Sequence, residues 1–150
     1  MFLNALNQLL KNREELIANV KLICAMVGDT SELEAECKKC ADEMSLIADM
    51  VEAAMLENAR VALDQNEYRQ KNDALAARFE EAKKKYDELS EQITDRETRR
   101  QNLQHFQETL ESLKGTITEF DGALWGALVD YITVYEDGSR TVTFRDGTTI

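Results

Sequence analysis

Apolar residues recur along most of this chain in alternating four- and three-residue steps, the spacing that puts them on one face of a helix. Phe2, Leu6, Leu9, Arg13, Leu16, Val20, Ile23 and Val27 follow it, and Leu3, Leu10, Ile17 and Cys24 widen the stripe. The pattern predicts one helix from about Phe2 to Val27. So broad a face suits packing into a multi-helix or helix–sheet body better than a narrow two-helix seam. Gly28-Asp29-Thr30-Ser31 then breaks the period, and Ser31 with Glu34 fits a capping box for the next helix.

From Glu32 the seam is Leu33, Cys37, Cys40, Met44, Ile47, Val51, Ala54, Asn58 and Val61. Leu63-Asp64-Gln65-Asn66 closes it, and Asp64 is placed to cap a third helix. That helix has a matching seam: Tyr68, Asn72, Leu75, Phe79, Ala82, Tyr86, Leu89, Ile93, Arg96, Arg100 and Leu103. Two such seams joined by a short link predict an antiparallel coiled-coil hairpin over residues 31–103. Facing residue numbers should sum to roughly 129, so that Cys40 faces Leu89 and Leu33 lies near Arg96, and the arm should be on the order of 40–45 Å long. Asn58 and Asn72 then fall at nearly facing levels, where a hydrogen bond between them would fix the register.

Beyond Gln104, Phe106, Leu110, Leu113, Ile117, Phe120, Leu124 and Leu128 continue a helical face, so one helix or two are expected over 104–130, with Gly115 a weak point. The tail changes period: Tyr131, Thr133 and Tyr135 alternate with Ile132 and Val134. Asp137-Gly138 signals a hairpin turn, residues 141–144 the returning strand, and Thr148-Thr149-Ile150 the start of a third. The predicted architecture is mainly α: a long hairpin, 31–103, projecting from a small α+β base formed by 1–30 and 104–150 and ending in a β-hairpin.

Composition supports long helices, since there is no proline to break them. No run nears the roughly 20 apolar residues that span a bilayer, so no membrane partner is expected. Three cysteines, an odd number inside helical patterns, fit a reducing compartment and hence the cytoplasm. The net charge of −11 argues against a nonspecific DNA-binding face over the whole surface. Basic residues nevertheless cluster locally, and Arg96, Arg99 and Arg100 are the candidates for DNA-backbone contact.

Catalytic patterns are not found. Cys37 and Cys40 have the C-x-x-C spacing of zinc or redox sites, but they are successive seam positions with no second ligand pair nearby, so they read as core. His105, the one histidine, lacks catalytic partners. There is no phosphate-binding loop and no nucleophile elbow. Neither catalytic residue, metal nor cofactor is assigned to this chain. Leu63, Asp64, Gln65 and Tyr68, at the hairpin's end, are the candidate interaction residues, with Leu63 and Tyr68 supplying apolar contact.

Four segments taken in order resemble the C-terminal part of the large serine recombinases, the site-specific integrases and resolvases of phages and mobile elements. They are FLNALNQLLKNREELI, ENARVALDQNEYRQK, RRQNLQHFQETLESL and the closing TEFDGALWGALVDYITVYEDGSRTVTFRDGTTI. The resemblance implies that residues 33–103 are the family's coiled-coil arm, whose self-association across subunits holds two DNA sites in synapsis and controls direction. It implies DNA contact through the rest of a parent protein, and a directionality-control protein as a further partner. The family's catalytic serine region and zinc-ribbon cysteines have no counterpart here. The chain is therefore expected to be a fragment, inactive in cleavage, with zinc only in the missing ribbon. The competing expectation is a standalone structural or adaptor coiled-coil protein.

Overall fold

The computed structural model describes residues 2–61 and 64–150. It contains α1 (Phe2–Lys11), α2 (Arg13–Gly28), α3 (Ser31–Arg60), α4 (Gln65–Ser112), α5 (Gly122–Leu128), β1 (Val129–Val134) and β2 (Arg140–Phe144). The fold is mainly helical with a small β-hairpin. The chain divides into two compact units, Met1–Asp29 with Arg96–Ile150, and Thr30–Asp95.

In the first unit the expected single N-terminal helix is two. Asn12, at φ −107° and ψ 26°, leaves the helical conformation between α1 and α2. Asparagine competes for its own backbone and favours such interruptions. Arg13, just past the break, donates through its guanidinium to the carbonyls of Leu113 (2.6 Å) and Glu111 (2.7 Å). A cation there satisfies acceptors left open as α4 ends. Gly28 closes α2 where space is short: a β-carbon on it would stand 2.6 Å from Arg100 Cδ.

Of the one helix or two expected over 104–130 the structure has two, since α4 stops at Ser112 and α5 begins at Gly122, with a wider gap around Gly115 than expected. Gly115 takes φ +71°, a left-handed conformation natural only to glycine among ordinary residues. Residues 113–121 instead run without helix, held by Asn7. Its Nδ2 donates to Ile117 O (2.8 Å) and its Oδ1 accepts from Ile117 N (2.9 Å), replacing the bonds a helix would have made. Asp121 restarts the helix by accepting from Ala123 N (2.7 Å) and Leu124 N (3.4 Å).

β1 and β2 pair antiparallel, with Ile132 opposite Val142 and Thr133 opposite Thr141. The expected turn forms, with Tyr135 N donating to Ser139 O and Gly138 at φ +80°. The C-terminal residues fold back on β2 through reciprocal bonds between Val142 and Ile150, and Thr143 and Thr149 form an isolated bridge rather than a full third strand. A lone hairpin is marginal in water. Here Val142 and Phe144 are fully buried with Leu6, Phe106, Leu110 and Leu128, and Trp125 stacks edge-on to Phe2 at 5.0 Å.

In the second unit, Thr30 rather than Ser31 occupies the cap position of α3. Its hydroxyl bonds to the Glu34 carboxylate at 2.7 Å and makes no side-chain bond to a backbone amide. Asp64 caps α4 as expected, accepting from Asn66 N (2.7 Å) and Glu67 N (3.3 Å). Cys37, Cys40 and Leu89 form a buried cluster flanked by Leu33, Tyr86 and Ile93. Further along, Glu36 binds Lys85, Glu43 binds Arg78 and Asn58 binds Gln65. These flanking polar pairs sum to 121–123, below the roughly 129 expected, while Cys40 and Leu89, the seam residues expected to face each other, share one buried cluster. The lower sum arises because α4 begins at Gln65, as soon as Asp64 can cap it. The two units meet within α4 at Asp95 and Arg96 rather than after residue 103, because Leu103 (3% exposed) belongs to the first unit's core.

Truncating Leu110, which is fully buried at the centre of that core, should cost about 2–5 kcal/mol through lost burial and the cavity left behind. Urea unfolding of Leu110→Ala followed by circular dichroism should show a lower midpoint; an unchanged midpoint would place Leu110 outside the cooperative core.

Candidate interaction surface

α3 carries two apolar stripes. One is the seam, with Cys37, Cys40, Ile47 and Ala54 buried. The other is Leu46, Met50, Ala53 and Leu56, one residue short of the seam at each level at first and drifting around the helix, while the exposed Met55 lies across the seam from it. Leu46 is 52% exposed, Met55 58% and Leu56 61%. Scattered exposed apolar residues are ordinary, but a run of them along one helix is the mark of a contact surface. Sequence reading missed this stripe because it followed only the strongest period; a second search of α3 at the same spacing would have found it.

Of the residues expected at the contact, Leu63 lies outside the described residues. Asp64 is occupied as the cap of α4. Gln65 Nε2 donates to Asn58 Oδ1 at 3.1 Å, tying the end of α3 to the start of α4. Tyr68 is half-buried. Three of the four are thus engaged in or near the end of the helix pair, and the larger exposed apolar surface is on α3.

The basic candidates differ among themselves. Arg96 donates to Asp29 O at 3.1 Å. Arg100 is held in a two-point contact with Glu97, Nε to Oε2 at 3.0 Å and Nη2 to Oε1 at 2.6 Å, so its charge is already answered. Arg99 is exposed. The Glu97 carboxyl is correspondingly held below its ordinary range, first by its bond to Arg100. The three arginines therefore do not form one open cationic face.

Cys37 and Cys40 are both buried in the seam beside Leu89. Burial pushes the Cys24 thiol up from its ordinary value. Among the described residues, no group of three or more His, Cys, Asp or Glu side chains is placed to hold a metal ion. No described helix is long and apolar enough to cross a membrane. His105 is exposed, and its backbone carbonyl accepts from the Thr109 hydroxyl.

One groove opens beside the seam of the second unit, with a volume of about 580 Å³. Ile47, Val51, Leu75 and Phe79 are among its apolar lining, and Glu52, Asp73 and Glu80 are its charged residues. Asn72 also lines it, and Asn72 Oδ1 is buried with no hydrogen-bond partner. The expected Asn58–Asn72 bond fails for a simple reason. The register sets Asn58 opposite Gln65 and so brings Asn72 level with Val51, which has no donor to offer.

The chain is a mainly helical protein with a small β-hairpin. No protein-family model, no curated protein and no solved structure matches it.

Glu36 provides a measurable handle on the helix pair. Bonds from Lys39 Nζ (2.6 Å) and Lys85 Nζ (3.0 Å) hold its carboxyl down from 4.5 to about 2. A depressed carboxylate stabilises the fold above its unfolded value, and that contribution is lost as pH falls toward the folded value. Thermal midpoints measured at low salt should therefore fall further between pH 4.5 and about 2 in the parent than in Glu36→Gln. The pair is exposed, so the difference should be small and should fade in about 1 M salt. Parallel curves for both proteins at low salt would mean the contact does not persist in solution.

Proposed function

We propose that α3 and the first part of α4 form an antiparallel coiled-coil hairpin whose work is contact between protein subunits. The order of contacts supports the reading: as positions rise along α3 from Glu36 to Glu43 to Asn58, their partners fall along α4 from Lys85 to Arg78 to Gln65. The seam is apolar at the four-three spacing of a coiled coil. The exposed stripe at Leu46, Met50 and Leu56 supplies the observation that carries the contact function, because a helix pair that needed only itself would have no use for it.

The fuller reading is the arm of a serine site-specific recombinase, bringing subunits together in synapsis and in the control of direction. The four segments that resemble that family support it. In this reading DNA cleavage belongs to parts of the parent outside this chain. The adaptor reading shares the hairpin and dispenses with the parent.

Two measurements separate these. Sedimentation velocity across a concentration series should show reversible self-association of the chain. Leu63→Ala with Tyr68→Ala should abolish it while helicity by circular dichroism stays unchanged, if the end of the hairpin is the contact. Association undiminished in the double variant would remove the end-contact model. For the parentage, the gene of origin read upstream of the Phe2 codon should encode, in frame, a zinc ribbon and a resolvase-type serine domain. A frame without them would sink the recombinase reading and leave the adaptor.

A further inference from the structure

We propose that the groove beside Asn72 is a docking site for a basic amphipathic helix of another protein, laid alongside α3 and α4 as a third helix. The groove has an apolar lining that includes Val51 from α3 and Phe79 from α4. Ala48 and Ala76 line it from the two helices, and side chains that small let a third helix approach closely. Its charged lining is wholly acidic, with Glu52 from α3 and Asp73 and Glu80 from α4. An apolar lining with acidic residues on both helices complements a helix that has one apolar stripe flanked by lysine or arginine.

Asn72 Oδ1 adds a specific demand. It is a buried acceptor with no partner, a state that is unfavourable until a donor arrives. Asn72 is only half-buried, and a turn of its side chain toward the groove would let a glutamine, lysine or arginine of the incoming helix satisfy it. Positions 47 to 55 of α3 line the site, so the occupant needs about two to three helical turns.

A second copy of this chain is a poor occupant. Isologous contact through this face would bring the acidic set Glu52, Asp73 and Glu80 together with the same acidic set of the second copy, and like charges brought together resist association. The chain's net charge of −11 works in the same direction. The groove is therefore distinct from any self-association through the end of the hairpin or the Leu46–Leu56 stripe, and the inference does not depend on the recombinase reading.

The test is fluorescence anisotropy with the full chain and a labelled helix of about 14 residues, built from leucine and lysine with one central glutamine at the level of Asn72. Ala76→Arg fills the groove and adds a positive charge, and it should weaken binding by about tenfold or more. Glu91→Gln makes the same charge change at an exposed site outside the groove and should stay within about twofold. Asn72→Leu removes the unpaired acceptor. It should raise the thermal midpoint of the free chain yet weaken the glutamine-bearing peptide more than one carrying leucine in its place. Equal losses in Ala76→Arg and Glu91→Gln would show that the peptide follows net charge alone and overturn the site. A change in the chain's own sedimentation with Ala76→Arg, without peptide, would show a second copy in the groove and overturn the choice of occupant.

Discussion

The register between α3 and α4 governs what the second unit presents to its surroundings. It is set where the chain turns, by the Asp64 carboxylate capping α4 and Gln65 reaching back to Asn58. These contacts are local, and they lie at the turn end of both seams. Once Gln65 is level with Asn58, every later pair follows, down to Glu36 with Lys85 and the cluster of Cys37, Cys40 and Leu89. A shift of a few residues would leave the apolar seam continuous, because its period repeats. It would change only which polar residues meet, so the cap and the glutamine decide what the hydrophobic contacts leave open.

The first unit solves a different problem. Its helix ends leave backbone groups without intrahelical partners, and several are answered from far along the chain. Arg13 answers carbonyls at the end of α4, Asn7 pairs with both backbone groups of Ile117, and Arg145 binds Gly126 O and, through its amide, Leu128 O. Each is a polar side chain or amide brought from a distant point in sequence. They join the N-terminal helices, the end of α4 and the hairpin around Phe106, Leu110 and Phe144. The hairpin is stable in this setting because one of its faces is core.

What was legible in the sequence was whatever repeats. The seams over Leu33–Asn58 and Tyr68–Ile93, the Asp137-Gly138 turn and the cap at Asp64 follow from periods and local chemistry. What was not legible depended on partners far away in the chain. The break at Asn12 gains from Arg13 meeting carbonyls a hundred positions on. The end of α4 depends on Asn7, which reads in sequence as one more polar residue on a helix. The cap of α3 slipped from Ser31 to Thr30, a one-residue difference of the kind that side-chain competition settles.

The candidate surface follows the same division. Asp64, Gln65 and Tyr68 were legible because they lie between two seams or open the second, yet Asp64 and Gln65 are occupied in forming the turn itself. The exposed Leu46–Leu56 stripe and the groove were not read, and for opposite reasons. The stripe was present in the sequence but overshadowed by a stronger period. The groove exists only in the register the turn imposes, since it needs Asn72 level with Val51 and small residues at Ala48 and Ala76 on either side. A polar residue at a seam position ordinarily specifies register by finding its counterpart. Here register is specified elsewhere, which leaves Asn72 with a buried acceptor and no partner in the seam. An interior position that contributes neither burial nor a satisfied bond is a cost to the isolated fold, and such costs are characteristic of places where a protein meets something else.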